Sequence, residues 1–167
     1  MVSLVIIYLA HLLTMPGKQI SFEITRESID NPSVEYQAIA QDGQIIGYVE
    51  VNTFGDETYQ KFVEAIEALE AQGIDGLVVD LRDNGGGQLF TVFYMMQEFL
   101  LKNDTPMFYT EHYVRGILQT TDYISSNEVP KDYEIVTLVN GNSASASEVF
   151  AAGMQEHGNY ILVGTQT

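Results

Sequence analysis

The sequence predicts an α/β fold with a mostly parallel sheet and a β-rich insertion. Two short, almost wholly apolar runs, GLVVDL (76–81) and EIVTLVN (134–140), have the composition of parallel strands covered on both faces. Helical periodicity precedes the first run and follows the second, so strand, helix and strand recur in the order of βαβ units. Between them, stretches 107–114 and 117–124 flank Gly116 as the arms of a hairpin.

The elements follow in order. MVSLVIIYLAHLLTM (1–15) is apolar but shorter than the roughly 18–20 residues that span a bilayer. The first basic residue, Lys18, follows this run instead of preceding it, unlike a secretory leader. The run therefore reads as a buried strand or the frayed beginning of the chain. KQISFEITR (18–26) alternates in part, with Ile20, Phe22 and Ile24 on one face. DNPSVE (30–35) reads as a connector, because Pro32 breaks regular structure. IIGYVEVN (45–52) is a strand by its β-branched content.

A helix follows, capped by Asp56 and closed by Gly73 at C′. Tyr59, Phe62, Val63, Ile66 and Leu69 form its apolar stripe, and Glu64, Glu67 and Glu70 lie away from it. LFTVFYMMQEFLL (89–101) is apolar nearly all round and predicts a buried helix. A last helix is expected over 145–157 and a last strand over 160–164.

Composition excludes several functions. The 167 residues suit one domain with room for a small second piece, and 46% hydrophobic content supplies a core. Twenty-three acids against 7 bases give a net charge of −16, which argues against nucleic acid and anionic membranes as partners. With no cysteine there is no disulfide framework, thiolate metal site or cysteine nucleophile. The three histidines, His11, His112 and His157, are too far apart for helical metal-ligand spacing. No cofactor or metal is expected.

Two loops carry chemistry. RDNGGG (82–87) and NGNSASAS (140–147) each leave a strand and open a helix, so in a parallel sheet both fall at the carboxyl edge and can face each other across one crevice. Gly85, Gly86 and Gly87 permit φ > 0 and outward N–H groups that hold an oxyanion; they equally suit a tight strand-to-helix turn. The spacing fits neither a dinucleotide fingerprint nor a Walker A loop.

Ser143, Ser145 and Ser147 sit at alternate positions. Ser145 and Glu148 have the form of a capping box, with the hydroxyl on the Glu148 N–H and the carboxylate reaching back. The same position suits a nucleophile, because a helix N-terminus stabilises an alkoxide or oxyanion, and the Ala146 N–H points near any tetrahedral intermediate formed there. The residues alone leave both readings open.

These segments resemble the carboxyl-terminal processing peptidases, also called tail-specific proteases. FEITRESIDNPSVE (22–35) is similar to the family's link from a PDZ module into its peptidase core. IIGYVEVNTFGDET (45–58), GLVVDLRDNGGG (76–87) and VTLVNGNSASASEVFAAGMQEHGNYILVGTQT (136–167) resemble successive core elements. The resemblance implies a ClpP/crotonase-like core of βαβ and ββα units and a serine–lysine endopeptidase that cuts proteins near their C-termini. It implies Ser145 as nucleophile, as the middle serine of S-A-S-A-S, and the Ala146 N–H as one oxyanion donor. The family pattern D-L-R-x-N-x-G-G falls on Asp80, Leu81, Arg82, Asn84, Gly86 and Gly87, making Gly86 the second donor, with Gly87 the second choice. Gly85 stands where many members have proline.

The resemblance also sets expectations about extent and setting. Residues 1–30 are read as the remnant of a PDZ-like module or a linker, and 31–167 as a partial peptidase core lacking its C-terminal part. Members keep the general-base lysine about 25 residues beyond the nucleophile, a Ser-Lys variant of the triad logic, with a supporting glutamine just after it. This sequence ends at Thr167, so the chain alone is expected to be inactive. Lys131 precedes a strand that ends near Ser145, and belongs at the opposite end of the sheet. His157 and Glu156 lie at the far end of the serine helix, roughly 18 Å away. His112 falls in the insertion, where nothing supports a Ser-His-Asp arrangement.

The expected partner is a protein or peptide with an apolar C-terminal tail, bound by strand addition, with self-association through exposed sheet edges. The family resemblance implies an extracytoplasmic location. The other reading is a non-catalytic module or pseudoenzyme that binds an apolar ligand or tail, as retinoid-binding modules on a similar core do.

Overall fold

The computed structural model describes residues 7–14, 18–25, 31–158 and 160–167. The chain divides into two units, Met1–Asn31 and Pro32–Thr167. In the first, strands β1 (Ile7–Thr14) and β2 (Lys18–Thr25) pair antiparallel, with Ile7 opposite Thr25. The side chains of this hairpin, including the face expected for Ile20, Phe22 and Ile24, lie outside the described residues, as do residues 26–30 of the link.

The second unit begins with an element the sequence reading missed. The expected connector at 30–35 gives way at Val34 to strand β3 (Val34–Gln41), which pairs antiparallel with β4 (Gln44–Val51). Asp42 and Gly43 turn the chain with φ of 52° and 83°. Both central residues at positive φ define the tight hairpin turn that matches strand twist, and Asp-Gly is its sequence signature.

Helix α1 (Thr58–Glu70) then returns the chain to β5 (Gly76–Asp80). Phe62, Ala65, Ile66 and Leu69 are buried along it. Each large side chain contributes about 1.5–3 kcal/mol when taken from water. Gly73 closes the helix at φ 74°, as expected. Asp56 does not cap it: its carboxylate accepts from Gln88 Nε2. Thr58 locks the entry instead, accepting from the Gly55 N–H and donating to the Thr53 carbonyl. Glu70 is not left in solvent either; its carboxylate takes Lys131 Nζ and Tyr133 Oη, each at 2.7 Å.

Helix α2 (Leu89–Gln97) leads to the hairpin of β6 (Phe108–Val114) and β7 (Ile117–Tyr123). The chain continues through β8 (Glu134–Val139), helix α3 (Ala146–Gly158) and β9 (Ile161–Gly164). The hairpin matches the expected β-rich insertion. α2 is shorter and less buried than its composition predicts: Val92, Met95 and Met96 enter the core, while Phe90 is 57% exposed.

The five-stranded sheet runs β3-β4-β5-β8-β9 and is parallel from β4 to β9. Val49, Val51, Leu77, Val79, Ile135 and Val139 form a core with the helices. Alternate residues Tyr48, Glu50, Val78 and Val136 point the other way and are half-buried. The helical cover expected on both faces of β5 thus lies on one. The crossovers β4-α1-β5 and β8-α3-β9 step across the sheet in the same direction, and right-handed crossovers then put both helices on the same side.

Candidate active site

The carboxyl ends of β5 and β8 lie side by side, with Asp80 opposite Leu138. The loops that leave them, 81–88 and 140–145, meet directly. The Ala144 N–H donates to the Asn84 carbonyl at 3.1 Å, and Ser147 Oγ donates to the same oxygen at 2.8 Å. Ser143 Oγ donates to the Leu81 carbonyl at 2.7 Å and accepts from the Asn140 N–H. A cluster at the rim completes the junction. Asp83 accepts at one carboxylate oxygen from Asn140 Nδ2 and Asn142 Nδ2, and its N–H donates to Asn140 Oδ1. Those amide donors hold the Asp83 carboxyl below its ordinary range. The facing of the two loops, inferred from topology, is therefore present.

The three serines separate by environment. Ser143 and Ser147 are buried at 1% and 0% exposure, with hydroxyls committed to the opposite loop. Ser145 is exposed and has φ of 55°. Among the described residues its hydroxyl has no hydrogen-bond partner. Half of the expected capping box forms: Glu148 Oε2 accepts from the Ser145 N–H at 2.7 Å. The other half does not, because the Glu148 N–H takes the Ser145 carbonyl, at 3.0 Å, as an ordinary first-turn bond. Positive φ turns the Ser145 side chain away from the N–H groups it would cap. A serine held in the left-handed region at a loop-to-helix turn is strained by about 1–2 kcal/mol.

The glycine loop sits against this serine. A Cβ added at Gly86 would lie 3.0 Å from Ser145 Cβ, 3.0 Å from the Ala146 nitrogen and 2.7 Å from the Ala144 oxygen. Only glycine permits that approach, and Gly86 has φ of 103°. Its own N–H donates to Asn84 Oδ1 at 2.8 Å. Asn84 is fully buried and fixes the loop further through Nδ2 on the Val51 carbonyl. Sequence reading placed Asn84 in the motif without a role; its role is to hold the loop's shape.

Gly87 bridges Phe54 in parallel fashion. The Phe54 N–H donates to the Gly86 carbonyl, and the Gln88 N–H donates to the Phe54 carbonyl. In such a bridge the N–H of the middle residue faces away from the partner strand. Neither the Gly87 nor the Ala146 N–H has an acceptor among the described residues.

Asp80, at the end of β5, accepts from Arg82 Nε at 2.9 Å, from Arg82 Nη2, and from Tyr48 Oη at 2.6 Å. Burial pushes the Asp80 carboxyl up, but Arg82 and Tyr48 outweigh it and hold it below its ordinary value. Burial, then the bond to Asp80, pushes Tyr48 up to about 12.

Among the described side chains the lysines are paired with acids, and none bonds Ser145. Lys61 pairs with Glu57, Lys102 with Glu128 and Lys131 with Glu70. Since α1 runs back from the carboxyl edge, Glu70 and Lys131 belong to the amino edge of the sheet. His112 is on the hairpin, and His157 is at the other end of α3 from Ser145.

The class is thus α/β, a mostly parallel sheet with a serine turn and a glycine loop meeting at its carboxyl edge. The sequence profile of peptidase family S41 matches residues 45–167. The chain belongs to this family, that of the carboxyl-terminal processing serine proteases. The carboxy-terminal processing protease CtpB of Bacillus subtilis is 34% identical over 154 residues, covering 89% of this chain and 31% of that protein. The carboxyl-terminal-processing protease of a Synechocystis species is 32% identical over 147 residues, covering 87% of this chain and 33% of that one. The chain thus spans about a third of the length of these curated relatives. A solved photosystem II D1 C-terminal processing protease shares the fold, with a TM-score of 0.67 at 24% identity over 95% of this chain and 42% of that one.

Proposed function

We propose that this chain supplies the nucleophile and oxyanion donors of an endopeptidase that cuts proteins near their C-termini. The observation that carries the reading is the singling out of Ser145: exposed, at positive φ, its hydroxyl unpartnered, between two buried serines that clamp the loops. Ser145 Oγ attacks the scissile carbonyl. The oxyanion accepts the Ala146 N–H and a glycine N–H from the Gly86–Gly87 pair. Gly87 has the open N–H as the loop stands, and a Gly86 donor requires release from Asn84. The N-terminal end of α3 adds its positive potential. The base is the lysine that the family pairs with its serine. The substrate is a protein with an apolar C-terminal tail, the location is extracytoplasmic, residues 31–167 form part of the peptidase core, and residues 1–30 belong to a PDZ-like module or linker.

Among the described residues no lysine or histidine hydrogen-bonds Ser145, so the 167-residue chain alone is expected not to turn over peptides. A fluorophosphonate at high concentration should still label Ser145 slowly. Its rate should climb roughly tenfold per pH unit, as hydroxide does the work of the missing base. Ser145→Ala should abolish labelling. Labelling that persists in that variant removes Ser145 as nucleophile, and a rate that levels off near neutrality reveals a base within the chain.

A further inference from the structure

Helix α3, which starts at the residue after Ser145, runs along a cleft. Val149, Ala152 and Glu156 recur at three- and four-residue spacing, on one face of α3. They line a cleft of about 480 Å³ whose facing wall includes Met107 and Phe108. That wall is firm: Phe108 stacks on Tyr123 with centroids 4.5 Å apart and meets Phe93 edge-on at 6.4 Å. The near part of the cleft is apolar. At the far end Glu156 is exposed, and among the described residues it makes no ion pair, either with His157 beside it or with any lysine or arginine. An uncompensated carboxylate on a chain of net charge −16 is complementary to a cation.

Ten helical steps from Ala146 place Glu156 about 15 Å along the axis from the residue that follows Ser145, and an extended peptide covers that in about five residues. We infer that the cleft holds the substrate chain on one side of the scissile bond, with apolar side chains against Val149 and Ala152 and a basic residue at Glu156, about five residues from the bond. The inference rests on Ser145 as nucleophile and adds a charge preference to the apolar one.

The test uses binding, since turnover by this chain is not expected. Four fluorescein-labelled peptides carry a central leucine, with lysine or glutamate five residues before or after it. Their affinities for the chain are read by anisotropy at physiological salt. In at least one direction the lysine peptide should bind more tightly than its glutamate counterpart. In Glu156→Gln that preference should fall about threefold, the size of one exposed ion pair, while general attraction to an acidic chain is untouched. Ala152→Trp fills the cleft from an exposed helix position and should weaken all four peptides at least tenfold, with unchanged melting. A preference that survives in Glu156→Gln, or wild-type affinity in Ala152→Trp, overturns the inference. Phosphonate labelling of Ser145 is read separately, so failure of the cleft and failure of the nucleophile give different results.

Discussion

Replacing Ser145 by alanine and by glycine separates a strained nucleophile from a cap. In a capping role the hydroxyl would hold an orphan N–H, and Ser→Ala would destabilise by about 1 kcal/mol while Ser→Gly would lose only a few tenths. The structure argues otherwise. The hydroxyl has no partner among the described residues, the side chain is exposed, and φ is 55°. Ser145→Ala then loses no hydrogen bond and keeps the strain, so its stability should stay within about 0.3 kcal/mol of the parent, inside the usual surface range. Ser145→Gly releases about 1–2 kcal/mol of left-handed strain and gives back about 0.4–1 kcal/mol through the more flexible unfolded chain. The net gain is roughly 0.5–1 kcal/mol, or about 1–4 °C in a chain of this size. Urea unfolding followed by circular dichroism measures both variants, with the slope expected to be unchanged. An alanine variant weaker by 1 kcal/mol, with the glycine variant no better than the parent, would return the hydroxyl to a cap and remove the physical basis for its selection.

Gly86→Ala should destabilise by roughly 2–4 kcal/mol and suppress phosphonate labelling, because its Cβ meets backbone that cannot swing aside and φ is 103°. Gly85→Ala is the control: an added Cβ there meets nothing within 4 Å, and stability and labelling should hold. Asp80 predicts an acid limb. Its folded carboxyl is held below the ordinary value of 3.8, so its contribution is complete above that pH and is lost as pH falls through the lower folded value. Asp80→Asn should flatten the stability profile below about pH 4, and an unchanged slope there refutes the ion pair's role.

The sequence revealed most of the framework because apolar runs and helical stripes are local signals. GLVVDL and EIVTLVN became adjacent parallel strands, and the 107–124 hairpin formed where Gly116 marked it. What escaped depended on neighbours in space or on short turn signals. β3 has only Val34 buried, so its periodicity was weak, yet Asp42-Gly43 announced its turn. α2 reads as buried on all sides by composition; Phe90, Phe93 and Tyr94 instead pack on one another at its surface. Asp56 has the type and place of a cap, but Gln88, thirty-two positions away, claims its carboxylate.

The site was legible as a pair of loops and illegible in its division of labour. Ser143, Ser145 and Ser147 are alike in spacing and local context, and no periodicity argument distinguishes them. The distinction comes from the opposite loop. The Leu81 carbonyl takes the first hydroxyl, the Asn84 carbonyl takes the third, and Asn84 also takes the Ala144 N–H. These bonds fix residues on both sides of Ser145, and Gly86 lies directly against it. With both flanks pinned and the loop pressed close, the backbone passes Ser145 in a left-handed turn that an isolated helix start would not adopt. The same contacts therefore set the loop junction's stability and the serine's exposure. Glu148 holds the turn from the helix side by taking the Ser145 N–H. The strain at Ser145 is thus imposed by at least three neighbours at once, which is the condition under which a strained residue persists in a folded chain.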